Sequence, residues 1–103
     1  MTVRRAERLT YAEVVSDFFL DLRGSGLMLS PADLELVDRW KAESIPVEVV
    51  CRGLKMGRES HARLRPGVRP PQNLSYYASA VEEAWRAFRE RRVGRGERPS
   101  EEW

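Results

Sequence analysis

The sequence predicts an all-α fold: a compact single-domain bundle of about four helices with a basic, proline-rich loop before the last helix. Apolar residues recur at spacings of three and four in four separate segments, which is the period of one helix face. Helix start signals precede these segments, and no segment shows the sustained alternation of a strand. A length of 103 residues suits one domain with one modest core.

The first helix is expected over residues 10–23. Thr10 and Glu13 have the spacing of a capping box, in which each side chain accepts a hydrogen bond from the other residue's backbone N–H. Gly24 and Gly26 follow as a stop signal. The expected apolar face comprises Tyr11, Val14, Val15, Phe18, Phe19 and Leu22.

The second helix is expected over residues 31–43. Ser30 can cap it, and Pro31 at its first position loses no hydrogen bond. Pro46 disfavours helical geometry at the preceding residue, so the helix stops near Ser44. Its expected apolar face comprises Leu34, Leu36, Val37 and Trp40.

The third helix is expected over residues 46–60, with a core stripe of Val47, Val50, Cys51 and Leu54. Gly53 lies inside it, although glycine destabilises a helix by about 1 kcal/mol relative to alanine. A close approach of another helix would explain that glycine.

The last helix is expected over residues 75–92. Prolines and glycines exclude helix from Pro66 to Pro71, which predicts an exposed basic loop before it. The domain therefore spans residues 10–92, with flexible ends at 1–9 and 93–103. The stripe of the last helix comprises Tyr77, Ala78, Val81, Ala84, Trp85 and Phe88.

Residues that could carry catalysis are nearly absent. The chain has one cysteine, Cys51, and one histidine, His61, about three turns apart if they share a helix. No phosphate-binding glycine loop or nucleophile elbow is present. Glu13, Asp17 and Asp21 form an acidic face, which we expect to be solvated because the Glu-x-x-His metal motif is missing. We therefore expect a non-enzymatic protein with no cofactor, no metal and no small-molecule substrate.

The composition argues against export and membrane insertion. No apolar run approaches the roughly 18 residues that cross a bilayer. The arginines near the N-terminus are not followed by the apolar region of a signal peptide. A single cysteine cannot form an intramolecular disulfide, which suits a reducing compartment. We expect a cytoplasmic protein with no membrane partner.

The charges of the chain are unevenly distributed. Residues 1–48 hold six basic and nine acidic side chains, whereas residues 49–98 hold twelve basic and five acidic ones. Such asymmetry suggests a polyanionic partner, either single-stranded or duplex DNA. Sixteen of the eighteen basic residues are arginine, a bias that a GC-rich genome would also produce without any ligand.

A nucleic-acid interface is the leading functional hypothesis. Arginine suits phosphate because its donors form a planar fork, and exposed aromatic rings stack on unpaired bases. Tyr76 lies off the apolar stripe, so it is the expected stacking residue. The expected phosphate contacts are Arg52, Lys55, Arg58, Arg63, Arg65 and Arg69, extended by Arg86, Arg89 and Arg92.

Three residues of the last helix resemble a family motif. Tyr77, Val81 and Trp85 match the YxxxIxxxW pattern of the DnaD-like helical domain, with valine in place of isoleucine. The segment from Leu36 to Leu54 resembles the preceding helix pair of that domain. The resemblance implies a DNA-binding domain of bacterial replication-initiation proteins, in which the motif and its C-terminal flank bind single-stranded DNA. The chain departs from the family in its longer basic loop.

The competing hypothesis is a helical adaptor or regulatory subunit that binds another protein. Its acidic first helix or its terminal arms would contact the partner.

Overall fold

The computed structural model, which describes residues 9–24, 26 and 28–96, confirms the all-α prediction. It holds four α-helices and no strand within those residues. None of these helices is long and apolar enough to cross a bilayer. The elements are α1 (Tyr11–Arg23), α2 (Pro31–Ala42), α3 (Val47–Leu64), a 3-10 turn (Leu74–Tyr77) and α4 (Ala78–Gly96).

The start signals of α1 and α2 form as the sequence predicts. The Glu13 N–H donates to Thr10 Oγ1 over 3.1 Å, and the Thr10 N–H donates to Glu13 Oε1 over 3.0 Å. Ser30 Oγ accepts the Asp33 N–H over 3.2 Å, with Pro31 in the first turn. Gly24 adopts a left-handed conformation with φ 76°, which ends α1.

The later boundaries differ from the prediction. α3 continues to Leu64 rather than ending near residue 60, because its buried glycines pack against α4 and Pro66 is the first residue that stops it. The 3-10 turn directly precedes α4, and α4 continues to Gly96. Residues 93–96, expected in the tail, are therefore helical, since glycine weakens a helix without blocking it. Of the flexible ends predicted at 1–9 and 93–103, residues 1–8 and 97–103 lie outside the described residues.

Long-range hydrogen bonds fix how the helices run. The Tyr11 hydroxyl donates to the Ile45 carbonyl over 2.7 Å, and Arg58 Nε donates to the Leu22 carbonyl over 3.4 Å. These contacts place α1 and α3 parallel. Arg23 Nη1 donates to the Gln72 carbonyl over 2.7 Å at the C-terminal end of α1. We use "loop end" for the end of the bundle that holds residues 65–77 and the C-termini of α1 and α3.

The closest helix contact joins α3 and α4, which run antiparallel. A Cβ atom at Gly53 would lie 2.5 Å from Val81 Cα, and one at Gly57 would lie 2.9 Å from Cδ2 of the Tyr77 ring. Gly53 and Gly57 are one turn apart on the buried face of α3. The close approach expected at Gly53 is thus confirmed.

One prediction about α2 is wrong. Leu34, expected on the apolar face, is 41% exposed, whereas Asp33 is buried. Asp33 Oδ1 accepts the Leu74 N–H over 3.1 Å, so the carboxylate caps the 3-10 turn that begins 41 positions later. The side chain of Asn73, the local cap position, makes no such bond. The buried face of α2 therefore includes the Asp33 carboxylate, which accepts a hydrogen bond at the start of the 3-10 turn.

Candidate nucleic-acid interface

The loop end brings together part of the predicted basic surface. Arg63 lies in the last turn of α3, Arg65 directly precedes the non-helical segment from Pro66 to Pro71, and Arg69 lies within that segment. All three arginines are exposed. The predicted exposed basic loop is therefore present over residues 65–69, while residues 70–72 are half-buried.

The second half of this loop is fastened by side chains. The Pro70 carbonyl accepts from Gln72 Nε2 over 2.9 Å, and the Pro71 carbonyl accepts from the Tyr77 hydroxyl over 3.1 Å. The Gln72 carbonyl accepts from Arg23 Nη1 over 2.7 Å. Three consecutive carbonyls thus accept hydrogen bonds from side chains, which satisfies the acceptors of a half-buried segment whose two prolines have no N–H to donate.

Arg58, a predicted phosphate contact, lies against α1 instead. Its side chain is half-buried, and its Nε donates to the Leu22 carbonyl near the end of that helix. A cation there suits the negative end of the helix dipole. No local sequence pattern indicates this contact, because the partner carbonyl is 36 positions away.

Tyr76 has the exposure expected of a stacking residue. Its side chain is 50% exposed, and its ring meets Tyr77 edge-on at 5.3 Å and His61 edge-on at 5.9 Å. His61 is buried beside it, and its Nδ1 has no hydrogen-bond partner within the described part of the chain. Two neighbouring rings therefore support Tyr76 while half of its surface stays open.

Tyr76 and Arg63 line the same groove between α3 and α4. Its volume is about 570 Å³, within the range of small-molecule sites. Sequence reasoning missed the groove, although its small residues fall at helical spacing on the facing sides of two antiparallel helices. The lining residues are Met56, Gly57, Glu59, Ser60, Arg63, Tyr76, Ser79, Ala80 and Glu83.

The predicted contacts on the middle of α3 lie apart from the loop end. Arg52 and Lys55 are exposed, but Lys55 is roughly 15 Å along the helix axis from Arg65. Glu48 lies one turn before Arg52, and Glu59 lies one turn after Lys55, so this face of α3 is of mixed charge. It is a weaker site for a polyanion than the loop end.

The predicted arginines of α4 form a second group. The guanidinium of Arg89 lies 5.1 Å from the Trp85 ring centre, and that of Arg92 lies 5.6 Å from the Phe88 ring centre. Arg86 is exposed nearby. Arg89 is roughly 18 Å along α4 from Tyr77. The structure therefore divides the predicted residues between two ends of the bundle and does not form one continuous surface from them.

The motif residues are packing residues in this fold. Tyr77 and Val81 are fully buried, and the Tyr77 ring packs edge-on against Phe19 at 5.2 Å. Burial raises the pKa of Tyr77. Trp85 is partly exposed and stacks on Phe88 at 5.9 Å. Of the three motif side chains, Trp85 alone reaches solvent.

Cys51 and His61 are unsuited to act as a pair. They lie on one continuous helix, about three turns apart. Burial raises the pKa of the Cys51 thiol, and the nearby Glu48 raises it further, which disfavours the reactive thiolate. Over the described ranges, no three His, Cys, Asp or Glu side chains lie close enough to hold a metal ion. Glu13, Asp17 and Asp21 are each exposed, as expected for a solvated face.

The fold and the site together define a small all-helical domain with an arginine-rich loop end. A family model described as "Uncharacterised protein" matches residues 10–97, and the chain belongs to that family. No curated protein and no solved structure matches the chain.

Proposed function

We propose that this protein is a non-enzymatic nucleic-acid-binding accessory protein whose interface is the loop end. The observation that carries the proposal is the position of Arg63 and Tyr76 on one groove, beside the exposed Arg65 and Arg69. A guanidinium can bond a phosphate with two parallel donors, and an exposed aromatic ring offers a stacking face to a base. The two kinds of contact needed for a single strand thus occur on one surface.

The DnaD-like resemblance supports the same proposal in a modified form. Its matched residues Tyr77 and Val81 are buried, so in this chain they would act by shaping the interface. Tyr77 packs beneath Tyr76 and holds the Pro71 carbonyl. The C-terminal flank, with Arg86, Arg89 and Arg92, would supply a second set of phosphate contacts.

The test is fluorescence anisotropy with labelled single-stranded and duplex DNA at about 50 and 200 mM salt. Each phosphate contact releases a counterion, so affinity should fall steeply between the two concentrations. The double substitution Arg63→Glu and Arg65→Glu should weaken binding by at least about tenfold, while the melting temperature changes little because both side chains are exposed.

The matched control is Arg39→Glu with Lys41→Glu, which removes the same charge from exposed positions in the last turn of α2. This control should weaken binding far less, because screening limits the reach of exposed charges to roughly 10 Å. Equal losses in both double variants would argue against the loop end as the interface. Absence of binding at about 50 mM salt would argue against the function itself.

A second function, that of a protein adaptor, is favoured by apolar side chains at and near the loop end. Leu64 is 71% exposed, Val68 is 55% exposed and Met28 is 75% exposed. A partner that covered them would remove apolar surface from water. Capture of one stoichiometric partner that survives nuclease treatment would favour this function. For either function we propose a cytoplasmic location, in which the partly buried Cys51 stays a free thiol.

A further inference from the structure

We propose that the groove between α3 and α4 is a subsite for one unstacked base of a single strand, and that it selects guanine. The inference rests on the proposed function and adds the identity of the ligand group. Tyr76 forms part of the groove wall with half of its surface open, and the groove is large enough for a ligand the size of a nucleoside. A base paired within a duplex could not present its face to this ring.

Four of the residues that line the groove are small, which leaves room for a flat ring. Gly57 and Ser60 come from α3, and Ser79 and Ala80 come from α4. The two serines also offer hydroxyl groups that donate or accept hydrogen bonds. A larger residue at Gly57 is disfavoured, since a Cβ there would meet the Tyr77 ring at 2.9 Å. The requirement for close helix packing thus leaves a slot beside Tyr76.

The charges that line the groove determine which part of a nucleotide can enter it. Glu59 and Glu83 both line it, against the single cation Arg63. Two carboxylates repel phosphate, so a phosphate is favoured only at the Arg63 side, towards the exposed Arg65. A neutral base with N–H donors carries no such penalty. The groove is therefore suited to hold the base while the backbone follows the arginines.

Glu83 is the carboxylate best placed to select among bases. Glu59 has two cations one turn away, Lys55 and Arg63, which partly neutralise it, whereas Glu83 has one such neighbour, Arg86. A carboxylate accepts hydrogen bonds only. Guanine offers it two adjacent donors on its Watson–Crick edge, N1–H and the N2 amino group. Thymine offers one donor between two carbonyl oxygens, which a carboxylate repels.

The experiment is a competition between unlabelled oligothymidylates that differ only in one central base, against a labelled oligothymidylate. For the unsubstituted protein, one central guanine should tighten binding about tenfold over thymine, the discrimination typical of a bidentate base contact. Adenine, with one donor beside one acceptor on this edge, and cytosine, with one donor beside two acceptors, should fall between guanine and thymine.

Substitutions distinguish selection of guanine by Glu83 from general repulsion of phosphate by its negative charge. Glu83→Gln should abolish the guanine preference while leaving affinity for oligothymidylate equal or tighter, since one negative charge is removed. Glu82→Gln is the matched control, because Glu82 is exposed on the same helix but does not line the groove. Tyr76→Ala should lose about tenfold for every oligonucleotide, and Tyr76→Phe should recover most of it.

The results distinguish this inference from the proposed function. If all oligonucleotides bind with one affinity, and Arg63→Glu still weakens them, the proposed function stands and the guanine subsite is overturned. If Glu83→Gln tightens every oligonucleotide equally and the guanine preference persists, Glu83 acts only by repelling phosphate and the subsite assignment fails. If no oligonucleotide binds at about 50 mM salt, both proposals fail together.

Discussion

Gly53→Ala tests whether the contact between α3 and α4 limits the stability of the fold. Two effects oppose each other at this position. Alanine is favoured over glycine inside a helix by about 1 kcal/mol. The new Cβ, however, would lie 2.5 Å from Val81 Cα and 2.9 Å from Val81 N. These are backbone atoms, so no rotation of a side chain can relieve the overlap.

The magnitude follows from the separation that the substitution forces. The attraction between two non-bonded carbon atoms is strongest at a separation of about 3.5–4.0 Å. The two helices must therefore move apart by about 1 Å. A gap of that size forfeits a quarter to a half of the attraction between the atoms it separates. Overpacked cores lose about 1–3 kcal/mol. We expect the clash to outweigh the helical preference, because the 2.5 Å contact is with backbone, and to give a net loss of about 1–3 kcal/mol.

Thermal unfolding followed by far-ultraviolet circular dichroism measures this loss. For a domain of this size, about 2 kcal/mol corresponds to a drop of roughly 8–16 °C in the melting temperature. Adding Val81→Ala should not restore stability, since the nearest atoms belong to the Val81 backbone. Gly57→Ala should be milder, because its nearest neighbour is the ring of Tyr77. A Gly53→Ala protein that melts at or above the original temperature would refute this reasoning.

Three further predictions concern other contacts. Asp33→Ala should lower the free energy of unfolding by about 1–3 kcal/mol in a urea titration, because the buried Leu74 N–H loses its acceptor; an unchanged midpoint would contradict the cap. Burial raises the pKa of Tyr11 from 10.0 to about 12, so unfolded chains ionise first and stability should fall as pH rises from about 10 to 12. A titration of tyrosinate absorbance should show a late step, to which the buried Tyr77 also contributes. Tyr11→Phe should lower the amplitude of that step, and an unchanged amplitude would count against the assignment. Thr10→Ala should lower stability by about 1 kcal/mol through loss of the capping box, whereas no change in the melting temperature would mean that the N-terminus of α1 frays.

The sequence predicted those parts of the fold that depend on neighbouring residues. Thr10 with Glu13 and Ser30 with Pro31 start helices where they were expected to, because a cap bonds backbone atoms within its own first turn. Gly53 signalled a close helix contact because glycine has a known energetic disadvantage inside a helix. These inferences needed no knowledge of the tertiary structure.

Contacts between residues that are far apart in the sequence could not be predicted from local patterns. Leu34 and Asp33 are adjacent, and local hydrophobicity assigned the wrong one to the interior. Only the position of the Leu74 N–H makes burial of the carboxylate favourable. Arg58 likewise depends on a carbonyl of α1.

For the candidate site, the exposure of Tyr76 followed from its position off the apolar stripe. The groove did not follow, because its shape depends on how closely α3 and α4 approach each other. Local patterns predict which face a side chain occupies, whereas the space between two helices is a property of the packed pair.

The three consecutive carbonyls bonded by side chains at the end of the basic loop bear on the entropy of binding. A mobile arginine loop would lose conformational freedom when a ligand orders it, at about 1–2 kcal/mol for each residue whose backbone becomes fixed. Here Pro70 and Pro71 have restricted φ angles, and the Gln72 carbonyl is held by Arg23. Much of this ordering therefore takes place when the chain folds. Arg69 directly precedes this fastened segment, so a ligand that contacts Arg69 meets a backbone that is already partly ordered. Such preorganisation favours affinity without any additional contact.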